Sequence, residues 1–305
     1  MTGKTPPRIL LIGHRGQTAI ELQGLLDQQA SIVTAGRSGK PQQHCDLADP
    51  DSIESALDKV RPDWVINAAA WNQVDLAEQE REMAMQVNGH APAQIAAWCA
   101  AHGATCIHYS TDYVFDGKAS TPYVETDAVN PISAYGESKL AGEQTVLASG
   151  CHGAVLRTSW VYSLHGSNFL NVMRKLLASR DELSIVNDQI GVPTWARTLA
   201  ELTVRLLHSE GAHEEMQLYH ACNSGVTSRH GQVAAIREQL VAQGVDGLAA
   251  LRSIPSSEFP QAAARPQYSV MDNHKLATRL NWAIPDWLAA QRACLDELGE
   301  GVIEI

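Results

Sequence analysis

Short apolar runs alternate with amphipathic stretches along the first half of the chain. Five runs have the length and apolar content of buried strands, and they lie at residues 8–12, 31–35, 64–67, 105–109 and 154–158. Four stretches of helical spacing separate or flank them, at residues 19–29, 50–59, 76–101 and 134–149. The third should break or restart near residues 89–92, because Gly89 and Pro92 interrupt it. This alternation predicts a parallel sheet with helices on both faces.

The second half of the chain is less regular. Helical spacing recurs at residues 169–179, 198–209, 230–243 and 287–298, and residues 253–268 predict a proline-containing loop. We therefore predict an α/β fold: a doubly wound parallel sheet of the Rossmann type, with a smaller and partly discontinuous C-terminal region at the carboxyl edge of the sheet. Residues 1–161 and 186–218 would form the Rossmann domain, and residues 162–185 and 219–305 would form the smaller region.

Composition and charge narrow the range of partners. The 305 residues include 23 basic and 34 acidic side chains, so the formal net charge is −11. An acidic chain argues against broad binding to nucleic acid or to an anionic membrane, but it allows an anionic ligand in a locally basic pocket. No apolar stretch is long enough to predict a secretory segment or a membrane span. Six scattered cysteines predict free thiols and a cytoplasmic location.

A glycine-containing turn follows the first predicted strand. Its pattern is Gly13-x-x-Gly16-x-x-Ala19, placed between a strand and a helix. Gly13 permits a tight turn, Gly16 lets the backbone approach a pyrophosphate, and Ala19 allows close packing of the helix on the strand. Such glycines also occur in ordinary turns. At the first strand-to-helix turn of an alternating chain, the pattern predicts a dinucleotide site.

The residues after the second strand bear on which dinucleotide binds. Arg37 stands where an acidic residue usually binds the ribose hydroxyls of NAD, and an arginine suits a 2′-phosphate. We therefore expect NADPH, with NADH as the alternative; an exposed loop arginine is the plain alternative for Arg37. Asp46 and Leu47 follow a short segment that ends like a strand. They would either cover the adenine or belong to the cap of the helix that begins near Pro50, for which Asp49 is the predicted N-cap.

Tyr135 and Lys139 lie four residues apart in a predicted helix, so their side chains share a face. A nearby ammonium should lower the pKa of the tyrosine, which could then donate a proton to a carbonyl oxygen near neutral pH. Thr111 follows a buried strand, where its hydroxyl could polarise the same carbonyl or simply cap the strand end. The glycine turn, the hydroxyl and the Tyr-x-x-x-Lys pair, in this order, are more specific together than any one of them.

The chain resembles the dTDP-4-dehydrorhamnose reductase family of extended short-chain dehydrogenases/reductases. The matching stretches span most of the chain and lie at residues 13–17, 67–71, 74–75, 110–117, 135–143, 157–162, 187–194, 265–266 and 268–269. The most discriminating are the run Ser-Thr-Asp-Tyr-Val-Phe-Asp-Gly at 110–117 and the run at 187–194. Two positions depart from the family: Ala19 replaces a glycine, and the bulky Trp71 replaces a tyrosine or histidine and could narrow the cofactor site.

The resemblance implies a function and a set of site residues. The family uses NAD(P)H to reduce the 4-keto group of dTDP-4-dehydro-L-rhamnose, giving dTDP-L-rhamnose for cell-surface polysaccharide. By match, Thr111, Tyr135 and Lys139 would be catalytic, and Thr111, Asp112 and Trp160 would bind the sugar nucleotide, which makes the smaller region the sugar-nucleotide-binding part. The cofactor residues would be Gly13, Gly16, Gln17, Thr18, Arg37, Asp46, Leu47, Ala69, Ala70, Trp71, Asn72, Tyr109, Tyr135 and Lys139.

Metal binding and assembly are weaker implications of the resemblance. Some family members use magnesium at a subunit contact through glutamates. Only Glu21 matches here, and a second acidic position falls on Arg197, so no metal residue is assigned. A homodimer is one expected form of assembly. The spacing of Cys99, His102 and Cys106 superficially resembles a zinc site, but buried thiols are the better interpretation.

Two other functions remain as alternatives. An epimerase or dehydratase of the same superfamily would keep NAD bound and would need extra acid and base groups, such as an Asp-Glu pair after the catalytic threonine. Here Asp112 and Tyr113 follow Thr111, so that pair is missing. A catalytically silent regulatory subunit is the second alternative, and the presence of Thr111, Tyr135 and Lys139 argues against it.

Overall fold

A computed structural model describes residues 6–27, 30–209 and 215–298. Its strands are β1 (Arg8–Ile12), β2 (Ser31–Gly36), β3 (Gln43–His44), β4 (Trp64–Asn67), β5 (Thr105–Thr111), β6 (His152–Thr158), β7 (Val161–Tyr162), β8 (Glu182–Val186), β9 (Ile190–Gly191), β10 (Thr194–Trp195), β11 (Gln217–His220), β12 (Thr227–Ser228) and β13 (Ala250–Ile254). Its α-helices are α1 (Gln17–Leu26), α2 (Pro50–Val60), α3 (Arg81–Met85), α4 (Ala91–His102), α5 (Ala134–Leu147), α6 (Phe169–Ser179), α7 (Ala196–His208), α8 (Arg229–Ala242), α9 (His274–Leu280) and α10 (Trp287–Asp296).

Seven strands form the central sheet, in the order β11-β6-β5-β4-β1-β2-β3, and each neighbouring pair is parallel. The strand order reverses at β1, because the chain moves outward to β2 and β3 and then returns to β4 on the other side. In open α/β sheets of this kind, ligands bind at the carboxyl ends of the strands beside such a reversal. The prediction of a doubly wound parallel sheet is confirmed.

Helices cover both faces of the sheet because strand side chains alternate between the faces. Along β1, Ile9 and Leu11 pack against the α1 and α7 side, while Leu10 and Ile12 pack against the α2 and α4 side. All four side chains are fully buried or nearly so. The apolar run that predicts a buried strand therefore contributes to two cores at once.

A third apolar cluster lies in the second half of the chain. It joins α6, α8 and α10 around Tyr162, Leu170, Val233 and Cys294. Three two-stranded pairings accompany it: β7 with β10, β8 with β13, and β9 with β12. The β8–β13 pair is parallel, so the predicted loop at residues 253–268 was wrong at its start, because Ser253 and Ile254 belong to β13.

The long helix predicted at residues 76–101 is divided into four pieces. A 3₁₀ turn covers Leu76–Glu78, α3 follows, a π-helical segment covers Gln86–His90, and α4 begins at Ala91. Pro92 stands in the first turn of α4, where its missing N–H costs no hydrogen bond. The predicted interruption is therefore confirmed, and its form is a π-segment.

The other predicted strands and helices agree with the structure to within three residues at each boundary, and those at 8–12, 64–67 and 169–179 agree at both ends. The predicted helix at 19–29 includes residues 28 and 29, which lie outside the described residues. Asp49 caps α2 by accepting from the Asp51 backbone N–H, as predicted. All six cysteines are buried and free. Within the part of the chain that the structure describes, no helix has the length and apolarity needed to cross a membrane.

Candidate active site

The glycine turn lies between β1 and α1 at the carboxyl edge of the sheet. Gly13 has φ +92°, which side-chain-bearing residues rarely adopt, and a Cβ there would lie 2.8 Å from the Ala69 backbone nitrogen. Gly16 is the N-cap of α1 and has no capping side chain, so the first N–H groups of the helix face the turn. The backbone of this turn is open to a phosphate, which the helix N-terminus favours.

Three catalytic candidates meet in one cavity of about 340 Å³ beside this turn. Thr111 comes from the end of β5, while Tyr135 and Lys139 come from the first two turns of α5. Ser133 caps α5 by accepting from the Gly136 backbone N–H, which sets the start of the helix one residue before Tyr135. The Lys139 Nζ donates to the Tyr109 backbone oxygen at 2.5 Å.

The ionisation of these residues differs from the sequence expectation in one respect. Burial raises the pKa of Tyr135, and the neighbouring Asp112 raises it further, while the Thr111 hydroxyl opposes the rise. The expectation that Lys139 lowers the tyrosine pKa was therefore wrong, because desolvation dominates. Burial also lowers the pKa of Lys139 to about 8. Tyr135 thus holds its proton at neutral pH, as a general acid must.

Asp112 is buried behind the threonine. Its Oδ1 accepts from the Thr111 hydroxyl at 3.1 Å, whereas its Oδ2 has no hydrogen-bond partner among the described residues. Burial raises the pKa of this carboxyl to about 6, and the nearby Ser269 and Thr111 hydroxyls oppose the rise. A buried carboxylate oxygen without a donor is costly, so a ligand hydroxyl in the cavity would be well placed to satisfy it.

Trp160 forms one wall of the cavity in a strained backbone conformation. Its φ is +47°, an uncommon value for a residue with a side chain. Its ring is packed against Gly191, where a Cβ would lie 2.6 Å from the ring. Strain of this kind accumulates at functional sites. The structure therefore places Trp160 in the wall of the cavity that Thr111, Tyr135 and Lys139 also line.

Arg229 lies behind Trp160 and is the main site residue that the sequence did not single out. Its Cζ is 3.5 Å from the Trp160 ring centroid and 4.8 Å from the Phe169 ring centroid. Burial lowers its pKa to about 10, and no carboxylate lies within 4 Å of it among the described residues. This cation lines both the first cavity and a second, larger one.

The second cavity has a volume of about 630 Å³ and continues from the first. Its walls are mainly apolar and come from α6, β8 and the loop after β13; they include Phe169, Val172, Met173, Leu176, Ile185, Val186 and Phe259. Arg265 stands at its edge and forms a salt bridge of 2.7 Å with Asp75. An apolar cavity that is also lined by two guanidinium groups suits a ligand that has a flat ring and an anionic end.

Most residues predicted to bind cofactor or substrate line the first cavity. These are Gly16, Gln17, Thr18, Ala69, Ala70, Asn72, Tyr109, Thr111, Asp112, Tyr135, Lys139 and Trp160. Gly13 lies just beneath it, in the turn. Trp71 is not part of its lining and packs against the cluster of Ala77, Ala84 and Ala134.

The other three predicted cofactor residues, Arg37, Asp46 and Leu47, do not line the first cavity. Arg37 is exposed in the loop after β2. Leu47 is packed into the core beneath α2, and the half-buried Asp46 accepts from the Ala48 backbone N–H at 3.0 Å. The alternative that Asp46 caps the following helix was wrong, because Asp49 is the cap.

His14 and Arg15, within the glycine turn itself, also reach the loop after β2. A Cβ on Gly36 would contact the His14 ring, and one on Gly39 would contact the Arg15 side chain. The loop at residues 36–40 contains Arg37 and Lys40 and no acidic residue. The adenosine end of the predicted site is therefore basic, which the pattern Gly-His-Arg-Gly could have indicated.

Asn88, in the π-segment, supports the site from behind. Its side chain accepts from the Trp71 backbone N–H at 2.8 Å and donates to the Trp71 carbonyl at 3.1 Å and to the Ser138 hydroxyl at 3.0 Å. It thereby ties the loop after β4 to the helix that bears Tyr135. π-Segments often occur at functional sites because they redirect a side chain in this way.

The glutamate that the resemblance connects with magnesium already has a cationic partner. Glu21 is nearly buried and accepts from Arg197 Nε at 2.8 Å, and Arg197 also pairs with Glu297. An arginine therefore stands where the resemblance implies a second glutamate, and it is paired with Glu21, so these residues do not fit a magnesium site. Across the described ranges, no cluster of three or more His, Cys, Asp or Glu side chains could hold a metal ion.

A dinucleotide turn beside a tyrosine–lysine pair and a strand-end hydroxyl is the arrangement of short-chain dehydrogenases/reductases, and this chain has their fold. The family described as RmlD substrate binding domain matches residues 7–300, and the chain belongs to this family.

Relatives of similar length support this assignment. A dTDP-4-dehydrorhamnose reductase from Burkholderia thailandensis is 39% identical over 300 residues, covering 95% of this chain and 99% of the relative. One from Shigella flexneri is 36% identical over 293 residues, covering 95% and 97%. The crystal structure of a dTDP-4-dehydrorhamnose reductase from Bacillus anthracis in complex with NADP superimposes with a TM-score of 0.86, at 30% identity, covering 96% of this chain and all of that one.

Proposed function

We propose that this protein reduces the 4-keto group of dTDP-4-dehydro-L-rhamnose to give dTDP-L-rhamnose, as a cytoplasmic step toward cell-surface polysaccharide. The observation that carries the proposal is the convergence of Thr111, Tyr135 and Lys139 in one cavity beside the glycine turn. The relatives that cover nearly the whole chain carry the name of this activity.

The residues around the turn fit a bound nicotinamide dinucleotide. A Cβ would collide with the backbone at Gly13 and would be tightly packed at Gly16, and the N-terminus of α1 would meet the pyrophosphate. Gln17 and Thr18 on one side, and Ala69, Ala70 and Asn72 on the other, would enclose it. When bound, the reduced nicotinamide supplies the hydride that the carbonyl carbon receives.

The chain's own residues handle the proton and the oxygen. Tyr135, protonated at neutral pH, would donate to the carbonyl oxygen as it gains charge, and Thr111 would hold that oxygen by a hydrogen bond. Lys139 is anchored by the Tyr109 carbonyl, from where its remaining protons would reach the cofactor ribose. Its positive charge would stabilise the phenolate that Tyr135 becomes.

The substrate would span the two cavities. Its deoxysugar would lie against Trp160, with a hydroxyl donating to the unpartnered Oδ2 of Asp112. Its diphosphate would lie beside Arg229, at the junction of the cavities, and Arg265 would lie near it. The apolar walls of the second cavity would then contact the thymine, whose methyl group favours such a surface.

The same reasoning covers the cofactor and the assembly. His14, Arg15 and Arg37 make the adenosine end basic, which favours the 2′-phosphate of NADPH over NADH. The proposal includes no metal. A homodimer stays a prediction, as does the division into a Rossmann domain and a sugar-nucleotide-binding region.

A substrate panel tests the proposal. The purified protein is incubated with NADPH or NADH and with dTDP-, GDP- and UDP-linked 4-keto-6-deoxysugars, and loss of reduced nicotinamide is followed by absorbance. We expect stoichiometric oxidation of NADPH with dTDP-4-dehydro-L-rhamnose. Turnover of a nucleotide sugar without net NADPH consumption would instead indicate an epimerase or dehydratase. No turnover, with NADPH bound, would indicate a silent cofactor-binding subunit.

A further inference from the structure

A buried ion pair lies directly beneath the catalytic residues. Arg157 on β6 meets Glu143 on α5 through two hydrogen bonds, Nη2 to Oε1 at 2.6 Å and Nε to Oε2 at 3.0 Å. Their side chains are 4% and 1% exposed. The Ser110 hydroxyl also donates to Glu143 Oε2, at 2.7 Å. A bidentate pair this deep is costly to form, which makes its position in the molecule informative.

The three residues connect the elements that carry the site. Glu143 lies one helical turn beyond Lys139 and two turns beyond Tyr135, so all three share one side of α5. Ser110 immediately precedes Thr111, and Ser110 and Arg157 are register partners on neighbouring strands. The pair therefore joins the helix that bears the acid to the strand end that bears the hydroxyl.

Arg157 has further neighbours that hold it in place. Its Cζ lies 5.0 Å from the Phe115 ring centroid, and its Nη1 lies 3.5 Å from His220 Nε2 on β11. Phe115 follows Thr111 in the loop that leaves β5. The guanidinium is thus linked to residues on both sides of Thr111 in the sequence. It shares the Glu143 carboxylate with Ser110, and it lies against the ring of Phe115.

We propose that the Glu143–Arg157 pair is a positioning element for the reductase site: it sets Tyr135 and Lys139 against Thr111, and its carboxylate, one helical turn from Lys139 on the same side of α5, is the counter-charge of that ammonium. The inference rests on the proposed function for its kinetic readout. Glu143 and Arg157 touch neither cavity, so they act through the residues that do.

The electrostatics agree with the geometry. Burial is what lowers the pKa of Lys139, and Glu143 is the charged group that opposes this. The other ionisable groups near Lys139 are Tyr135 on α5, His108 and Tyr109 on β5, and Asp112 after β5. On the far side of α5, Arg81 pairs with Glu78 and Glu137 at the surface. Without the Glu143 charge, Lys139 should therefore lose its proton at lower pH.

The first test replaces the carboxylate with an amide. NADPH affinity is measured by nicotinamide fluorescence as a function of pH, and the alkaline limb is the pH range in which affinity falls as pH rises. In Glu143→Gln, the midpoint of this limb should move to lower pH by about one unit or more. The kcat should also fall by about tenfold or more, because the acid is less well placed. Glu143→Asp keeps the charge, so its alkaline limb should stay at the wild-type pH. Glu137→Gln, the same change on the exposed side of the same helix, should alter neither quantity.

A second variant covers the case in which Glu143→Gln leaves Arg157 unpaired and does not fold. Glu143→Gln combined with Arg157→Gln removes both charges of the pair together, so neither partner is left buried without the other. In that protein we expect kcat to fall by about tenfold or more, with the NADPH dissociation constant within about threefold of wild type.

Two results would overturn the inference. One is a folded Glu143→Gln protein whose NADPH binding keeps the wild-type alkaline limb. The other is a double variant with wild-type kcat. Failure of the proposed function is distinguishable, because a wild-type protein without reductase activity would still bind NADPH. The alkaline limb of that binding can then be compared between wild type and Glu143→Gln at equilibrium, without any turnover.

Discussion

The guanidinium of Arg229 stacks on the indole of Trp160, with 3.5 Å between Arg229 Cζ and the ring centroid. Trp160 in turn is held at a positive φ against Gly191. The stack fixes a positive charge between the two cavities, where no acidic side chain of the described ranges lies within ion-pair distance. We interpret it as the group that receives the substrate diphosphate.

Removing this charge should weaken substrate binding much more than it slows the chemical step. In Arg229→Met, which keeps much of the stacking volume, KM for the nucleotide sugar should rise roughly 10- to 100-fold, as expected for loss of a hydrogen bond to a charged group. The kcat should change by less than about threefold, since the lost contact is the same in ground and transition states. Steady-state kinetics measures both constants.

The matched control for that variant is Arg292→Met. Arg292 is half exposed and pairs with Glu238 at 3.8 Å on the surface of α8 and α10. Its loss should leave both constants unchanged. An unaltered KM in Arg229→Met would place the diphosphate elsewhere.

Cofactor preference should depend on the basic residues around the loop after β2. In Arg15→Ser combined with Arg37→Ser, kcat/KM for NADPH should fall relative to that for NADH by about tenfold or more, because the 2′-phosphate loses its cationic partners. Arg180→Ser, at the exposed end of α6, serves as the control. An equal fall in kcat/KM with NADPH and with NADH would show that these arginines do not bind the 2′-phosphate.

A buried histidine should make the protein sensitive to acid. Burial, with Arg157 nearby, lowers the pKa of His220 from 6.5 to about 3. Between these values the unfolded chain binds a proton that the folded protein does not, so stability present above pH 6.5 is lost as pH falls toward 3. The slope from one such group approaches about 1.4 kcal/mol per pH unit.

Urea unfolding at a series of pH values checks this. His220→Gln should flatten the dependence of the unfolding free energy on pH below 6.5 by up to that slope. His152→Gln, at an exposed position at the start of β6, should leave it as in wild type. If the unfolding free energy depended on pH equally steeply in His220→Gln and in wild type, this would contradict the claim that the buried His220 imidazole is neutral in the folded protein.

Local sequence patterns were sufficient for the parts of the site that depend on neighbours in the chain. The glycine turn, the spacing of Tyr135 and Lys139 on one helix face, and the Asp49 cap each involve residues within one or two turns of one another. Thr111 was predicted to follow the strand, whereas β5 extends two residues beyond its predicted end and includes Thr111 as its last residue.

What the sequence could not supply are contacts that depend on tertiary register. β12 pairs with β9, and α8 begins with Arg229 directly after β12. This pairing brings Arg229 to Trp160, whose ring packs against Gly191 of β9. Glu143 meets Arg157 because Ser110 and Arg157 are register partners. The π-segment is stabilised by Asn88 bonding to Trp71, seventeen positions away, which no helical spacing reveals. The direction of the tyrosine pKa shift was mispredicted because the burial of Tyr135 was not known.

The central claim is that Tyr135 gives a proton to the ketosugar during reduction, and Tyr135→Phe tests it most directly. Wild type and variant are compared with NADPH and dTDP-4-dehydro-L-rhamnose, following kcat and identifying dTDP-L-rhamnose by mass spectrometry, with NADPH affinity measured in parallel. We expect product from wild type, and a kcat lower by ~10²–10⁴-fold in the variant with NADPH affinity nearly unchanged. A loss of less than about tenfold would contradict the role of Tyr135 as the general acid.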